Sequence, residues 1–136
     1  MRILALDWGE VRVGAAVSDP SGQIAFPLDK IIESKNAITE IKQLVDELEI
    51  VLVLIGMPKN LKGESGISSE KLKKFAASLS QIIKTPIEFI DERFTSVEAG
   101  NRLSEQGLNL QQQRTIKDNI AAQIILQQYL NTQVNK

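Results

Sequence analysis

Hydrophobic positions in this chain recur with two different periods. Ile3 to Leu6 is almost continuously apolar, the pattern of a central strand covered on both faces, and Arg12 to Val17 resumes it a few residues later. So short a connection predicts antiparallel neighbours. Ile24 to Ile32 predicts a third strand after the Pro20-Ser21-Gly22 turn, with Pro27 confining its middle to a sheet edge or a bulge. From Asn36 to Glu49 the period changes, and Ile38, Ile41, Leu44, Val45 and Leu48 share one helical stripe. Val51 to Gly56 then reads as a buried strand, residues 57 to 67 as a loop, and Ser68 to Lys84 as a second helix with Leu72, Phe75, Ala76, Leu79, Ile82 and Ile83 at core spacing. Pro86 opens a strand from Ile87 to Ile90. Thr95 and Glu98 form a capping box for a short helix closed by Gly107, and a last helix is expected from Arg114 to Leu130. Strands first, then strands alternating with helices, predict a layered α/β domain with a mixed sheet.

Composition narrows the chemistry. The 136 residues fit a single domain, 1–136, with no room for a second. The absence of cysteine excludes a disulfide framework and a thiolate metal site, and the absence of histidine removes the commonest zinc ligand and the usual general base. Any metal must sit on oxygen ligands. Sixteen Lys and Arg against 17 Asp and Glu give a net charge of -1, so a nucleic-acid partner needs a local basic patch. No signal pattern or membrane-length apolar run is present, which predicts a soluble cytoplasmic protein.

Four acids stand out: Asp7, the pair Asp91 and Glu92, and Asp118. Asp7 and the pair lie where buried strands run out, the edge at which ligands gather in open α/β sheets. Asp118 is expected near the start of the last helix, where Ala121, Ala122 and Ile125 share its face. Converging carboxylates repel one another unless a cation pairs with them. Mg²⁺ or Mn²⁺ prefers carboxylate and water oxygens, and two such ions about 3.5–4 Å apart activate water and stabilise the leaving oxygen in phosphodiester cleavage. Each acid also has an ordinary structural use: Asp7 in an Asx turn with Gly9, Asp118 as a favourable charge near a helix N-terminus, and Asp91 and Glu92 in a salt bridge with Arg93. Their joint placement favours the site.

Gly9 and Gly14 bracket "EVRV", a spacing common to phosphate-binding turns and plain hairpins, and "GMPKNLKGESG" from Gly56 to Gly66 sets glycines and lysines after a buried strand on the same edge as the acids. Lys59, Lys62, Lys71, Lys73 and Lys74 are the densest basic stretch. With Arg12, Arg93 and Arg114 they outline a phosphate-contacting rim, against the plainer alternative of a solvated face.

In order and spacing, "ALDWGEVRVGAAVSD", "IGMPKNLKGESG", "DERFTSVEA" and "IKDNIAAQIILQQYL" resemble the YqgF (RuvX) family of pre-16S rRNA nucleases and Holliday junction resolvase-like proteins over nearly the whole chain. The resemblance implies a ribonuclease H-like fold, with a five-stranded mixed β-sheet and helices on both faces. It also implies hydrolysis of phosphodiester bonds with Mg²⁺ or Mn²⁺, in maturing the 5' end of pre-16S ribosomal RNA. By motif, Asp7, Asp91, Glu92 and Asp118 are its catalytic acids. Asp7, Glu92 and Asp118 are the metal ligands, although Asp91 and Glu92 remain alternatives because strand neighbours point to opposite faces. Arg12, Lys59, Lys62, Arg93, Thr95 and Arg114 are the nucleic-acid contacts. Trp8, Met57, Phe94 and Ser96 stand where the family more often has Tyr, Leu, Leu and Thr, and no acid is lost.

The partners implied are precursor ribosomal RNA, or branched DNA, and ribosomal precursor particles, for a monomer or homodimer away from any membrane. Three other readings compete: a junction-cleaving DNA nuclease, a ribosome-assembly factor that binds nucleic acid without cutting it, and an actin-like or sugar-kinase ATPase. The last would need two such domains to close around a nucleotide.

Overall fold

The computed structural model describes residues 2–58, 67–92 and 110–134. Six strands form a mixed sheet: β1 (Arg2–Asp7), β2 (Arg12–Ser18), β3 (Ala25–Pro27), β4 (Ile32–Glu33), β5 (Ile50–Pro58) and β6 (Ile87–Glu92). Five lie in the order β3-β2-β1-β5-β6, and β4 pairs with β2 off this path. β1 is antiparallel to β2, as the short connection requires, and parallel to β5, which is parallel to β6. Parallel pairing sends β1, β5 and β6 to the same edge at their C-terminal ends. Asp7, Pro58 and Glu92 are the residues on which they finish.

The sheet has one strand more than the five expected, because the single strand predicted over 24 to 32 is broken. Its first part, β3, pairs with the Ala16–Ser18 end of β2, and its second, β4, pairs with Arg12 and Val13. Pro27 lacks an N–H and sits on the outer strand, as the sequence requires.

Helices α1 (Ala37–Glu47), preceded by a 3-10 turn at Ser34–Asn36, and α2 (Ile67–Ile82) cover one face, and α3 (Leu110–Val134) the other. The α1/α2 side is built from bulky residues: Leu4, Leu6, Ile41, Val53, Ile55 and Leu79 are fully buried there. On the α3 side Ala5, Ala16, Ala25 and Leu54 meet Ala122, Leu126 and Leu130. Small residues let the helix backbone come close to the strands. α3 starts at Leu110 rather than Arg114, so the polar stretch 110–114 belongs to the helix. The capping box at Thr95 and Glu98 and the helix closed by Gly107 lie outside the described residues.

Candidate active site

Asp7 is the last residue of β1, between two glycines. Its register partner is Gly14 on β2 and Gly56 on β5. Directly paired residues share a face, and neither glycine puts a side chain beside the carboxylate. Ala5 belongs to the α3 side of the core, so Asp7, two residues on, faces α3 as well. Trp8 turns the other way and packs on the α1/α2 core, its ring 6.5 Å from that of Phe75 at a tilt of 44°. That contact anchors the strand end from behind.

Gly14 is where α3 touches the sheet. A Cβ built there would lie 1.9 Å from the backbone oxygen of Asp118 and 2.9 Å from its Cβ, so only glycine admits the helix this close. Asp7 and Asp118 therefore border the same glycine, one along the strand pairing and one from the helix above. Asp118 stands two turns inside α3, not at its start, which removes the helix-terminus account of its charge. Ala121, Ala122 and Ile125 on its face are buried, as the sequence predicts. Its carboxylate Oδ2 meets the guanidinium Nε of Arg12 at 3.3 Å, with both side chains more than a third exposed. Such a pair adds little stability, and its interest lies in where it holds Arg12.

β6 continues through both acids of the third position, so strand alternation applies to them. Ile90 is in register with Gly56, Asp91 with Met57 and Glu92 with Pro58. Alternation groups Glu92 with Glu88 and Ile90, and Asp91 with Ile87 and Phe89. Glu88 belongs to the α3 side, because its register partner Leu54 packs there; burial pushes the Tyr129 phenol of α3 up, and the negative charge of Glu88 adds to that shift. Ile87 packs on the α1/α2 core.

Among the described residues no three acidic side chains form a group that would hold a metal ion. Asp7 and Asp118, which border Gly14 from two different elements, carry only oxygen donors, the kind that hard divalent cations take.

The turn from Trp8 to Val11 is the hairpin that joins antiparallel β1 and β2. A Cβ on Gly9 would lie 2.6 Å from the Arg12 carbonyl oxygen, and the Gly9 carbonyl accepts from the Ser34 hydroxyl at 2.6 Å. Ser34 N–H also donates to the Val11 carbonyl. Beside it lies a groove of ≈ 620 Å³ lined by Glu10, Val11, Arg12, Ile31, Glu33 and Lys35. Lys71 of α2 reaches Glu10 at 3.7 Å, so one lysine of the basic stretch does stand near the edge of the acids. Lys73 lines a different groove, between α2 and β6. Arg114 is on α3 one turn before Asp118. Lys59, Lys62, Arg93 and Thr95 fall outside the described residues.

Sequence reasoning passed over Asn119, which is 3% exposed. Its Oδ1 accepts from Ala15 N–H at 2.9 Å, and its Nδ2 donates to the carbonyls of Leu28 and Lys30 at 2.9 and 2.8 Å. An asparagine beside an acid on a small-residue helix face was the available signal.

The family profile that matches is RuvX, described as Holliday junction resolvase, over residues 1–132. The chain belongs to the RuvX family. A protein of Thermoanaerobacter pseudethanolicus named "Putative pre-16S rRNA nuclease" is 39% identical over 139 residues, covering 100% of both chains. One of the same name from Chloroflexus aurantiacus is 42% identical, covering 95% of this chain and 86% of its own. Among solved structures, T. thermophilus RuvC in complex with a Holliday junction substrate superposes with a TM-score of 0.61 at 10% identity, covering 98% of this chain and 96% of that one. The Fowlpox virus resolvase bound to junction DNA gives 0.60 at 16%, covering 98% and 99%. At such identity the likeness establishes the ribonuclease H-like fold of a RuvX chain. Among the described residues no helix is long and apolar enough to cross a membrane.

Proposed function

We propose that this RuvX protein is a divalent-metal-dependent nuclease that hydrolyses phosphodiester bonds, acting in the cytoplasm on the 5' end of precursor 16S ribosomal RNA. The observation that carries the reading is the approach of Asp118 to Gly14, the register partner of Asp7. It sets two acids from distant parts of the chain on one face at one strand edge. The names of the relatives, with 36–42% identity among those compared, support the reaction class and the RNA.

Asp7, Asp118 and Glu92 are the residues that would hold the metal, with Glu92 preferred to Asp91 because alternation along β6 puts it in the set of Glu88 and Ile90. A bound divalent ion lowers the pKa of its water and offsets charge on the leaving oxygen. The chain's own residues do the rest. Gly56 puts no side chain beside Asp7 on the β5 side, where a phosphodiester backbone could approach, while the room over Gly14 is taken by α3. Arg12, at 3.3 Å from Asp118, offers planar donors to a phosphate next to the cut one. Lys59, Lys62, Arg93, Thr95 and Arg114 extend those contacts along the nucleic acid. Catalysis here is positioning and charge stabilisation, and it needs no histidine.

The family description and the bound junctions of the two solved relatives favour one second reading, cleavage of branched DNA. Labelled precursor RNA and a four-way DNA junction, each incubated with Mg²⁺, Mn²⁺ or EDTA, separate the two. Metal-dependent cutting of the RNA, lost in Asp7→Asn, is the expected result. Cutting of the junction alone moves the assignment to DNA, and binding without cutting of either makes the chain an assembly factor.

A further inference from the structure

β2 needs partners along its outer edge, and its neighbour breaks off just where the site lies. β3 ends at Pro27 and β4 starts at Ile32, and the chain between them bends away from Ala15. Leu28 N–H still reaches the Ala15 carbonyl at 3.0 Å. The Ala15 N–H, which a continuous strand would satisfy with a carbonyl, is satisfied by Asn119 Oδ1 instead. The carbonyls that turned away, Leu28 and Lys30, both accept from Asn119 Nδ2. A side-chain amide has the donor and acceptor of a peptide group, so Asn119 bridges the break. Turned over, it would face an N–H with its own NH₂ and two carbonyls with its oxygen, so the three partners fix its orientation.

The pattern repeats one turn at a time along α3. Gln123 Nε2 donates to the Ala25 carbonyl at 3.1 Å. Gln127 Oε1 accepts from Ala25 N–H at 3.0 Å, and its Nε2 donates to the Gln23 carbonyl at 3.1 Å. Asn119, Gln123 and Gln127 thus make a row of amides at four-residue spacing that takes up the outward-facing backbone of β2 and β3. The apolar part of this face is built from alanines and leucines. A slip of one residue would carry a helix about 1.5 Å along its axis, enough to spoil a ligand position.

We propose that Asn119, continued by Gln123 and Gln127, sets the axial register of α3 on the sheet and so holds Asp118 over Gly14; these are positioning residues for the acid beside them. The inference rests on the nuclease reading for its functional consequence, and on hydrogen bonds alone for its structural one. Residues that hydrogen-bond a metal ligand directly typically change metal affinity or activity by 10–100-fold, and the lower end of that range is the scale expected for Asn119, which acts on its neighbour through the backbone.

The test uses the full chain with Asn119→Ala, Asn119→Asp and, as reference, Asp118→Asn. Two readouts need no activity: hydrogen exchange of the Ala15 amide, and the nuclear Overhauser contact between Gly14 Hα and Asp118 Hβ. Two follow function: Mn²⁺ titration, and kcat and KM on an RNA that the wild type cuts. Asn119→Ala is expected to exchange the Ala15 amide about tenfold faster or more and to lose the Gly14–Asp118 contact. It should need about tenfold more Mn²⁺ for half-saturation and lose about tenfold in kcat, with KM within about twofold. Asn119→Asp keeps the acceptor for Ala15 but sets a carboxylate against two carbonyls, and should lose more. A contact of wild-type strength, or unchanged kcat where Asp118→Asn is inactive, overturns the inference. If Asp118→Asn cuts like wild type, the nuclease reading fails instead, and the exchange and contact readouts still decide the role of Asn119. Should Asn119→Ala not fold, Gln123→Ala with Gln127→Ala takes the same four readouts at Ala25 and Asp118. A smaller fall in kcat with a weakened contact then supports the proposal, and faster Ala25 exchange with neither change overturns it.

Discussion

The two faces of the sheet are made of different residues and do different work. Under α1 and α2 the strands present Leu4, Leu6, Val53 and Ile55, bulky side chains that hold the helices off and bury a large apolar volume. Under α3 they present Ala5, Gly14, Ala16 and Gly56, and the helix comes down until its backbone meets the strand at Gly14. The first arrangement yields stability through volume. The second yields little volume but brings the α3 backbone onto Gly14 and the α3 amides onto the strand edge. Both faces use the same strands, and alternation along β1 sends Leu6 to one face and Asp7 to the other.

That contrast breaks most visibly at Leu6. Leu6→Ala removes a fully buried side chain from the bulky face, and about 2–5 kcal/mol of stability should go with it. Metal response and cleavage by the fraction still folded should stay at wild-type values in calorimetric and activity assays. Gly14→Ala inverts the outcome. Its added methyl meets the Asp118 carbonyl oxygen, which costs about 1–3 kcal/mol by overpacking, yet it should abolish cleavage because α3 must lift and take Asp118 with it. A Gly14→Ala protein that cuts normally would mean that close approach does not matter to the site.

Two smaller changes sharpen the comparison from outside both faces. Asp19 closes the turn between β2 and β3. Its carboxylate accepts from Gln23 and Ile24 N–H at 2.8 and 3.0 Å and from the Ser21 hydroxyl. Those bonds, the one from Ile24 foremost, lower its pKa from 3.8 to about 2. A depressed carboxylate contributes stability that is present above pH 3.8 and lost as pH falls towards 2. Asp19→Asn should therefore flatten the pH dependence of unfolding between these values, and an unchanged slope would refute the assignment. Glu49, in a left-handed conformation with φ 53° after α1, should be replaceable by glycine with a gain of about 1 kcal/mol in thermal unfolding and no change at the site.

The bulky face was the legible one. Regular apolar spacing announced β1, β5, α1 and α2 within a few residues, because volume burial imposes period on sequence. The α3 face announced itself poorly. Asn119, Gln123 and Gln127 have the spacing of an ordinary polar stripe, and nothing local tells that their amides bond a strand edge. For the same reason the helix start was placed four residues late, and the strand over 24 to 32 was not seen to break. Gly14 was read for its turn-forming freedom when its use is contact.

If Asp7 and Asp118 act as one site, both contribute to the shift in melting temperature that Mg²⁺ or Mn²⁺ produces, measured with and without a non-cleavable nucleic acid. Phosphate oxygens often complete such a metal shell, hence the second condition. Binding to the native state alone at 100 times the dissociation constant adds about 2.7 kcal/mol, a readable shift. Asp7→Asn and Asp118→Asn are each expected to reduce the shift in both conditions. Asp46→Asn, which removes only an exposed partner of Lys42 on α1, should leave it at the wild-type value. Equal shifts in all three variants would contradict the account and return Asp7 and Asp118 to separate structural uses.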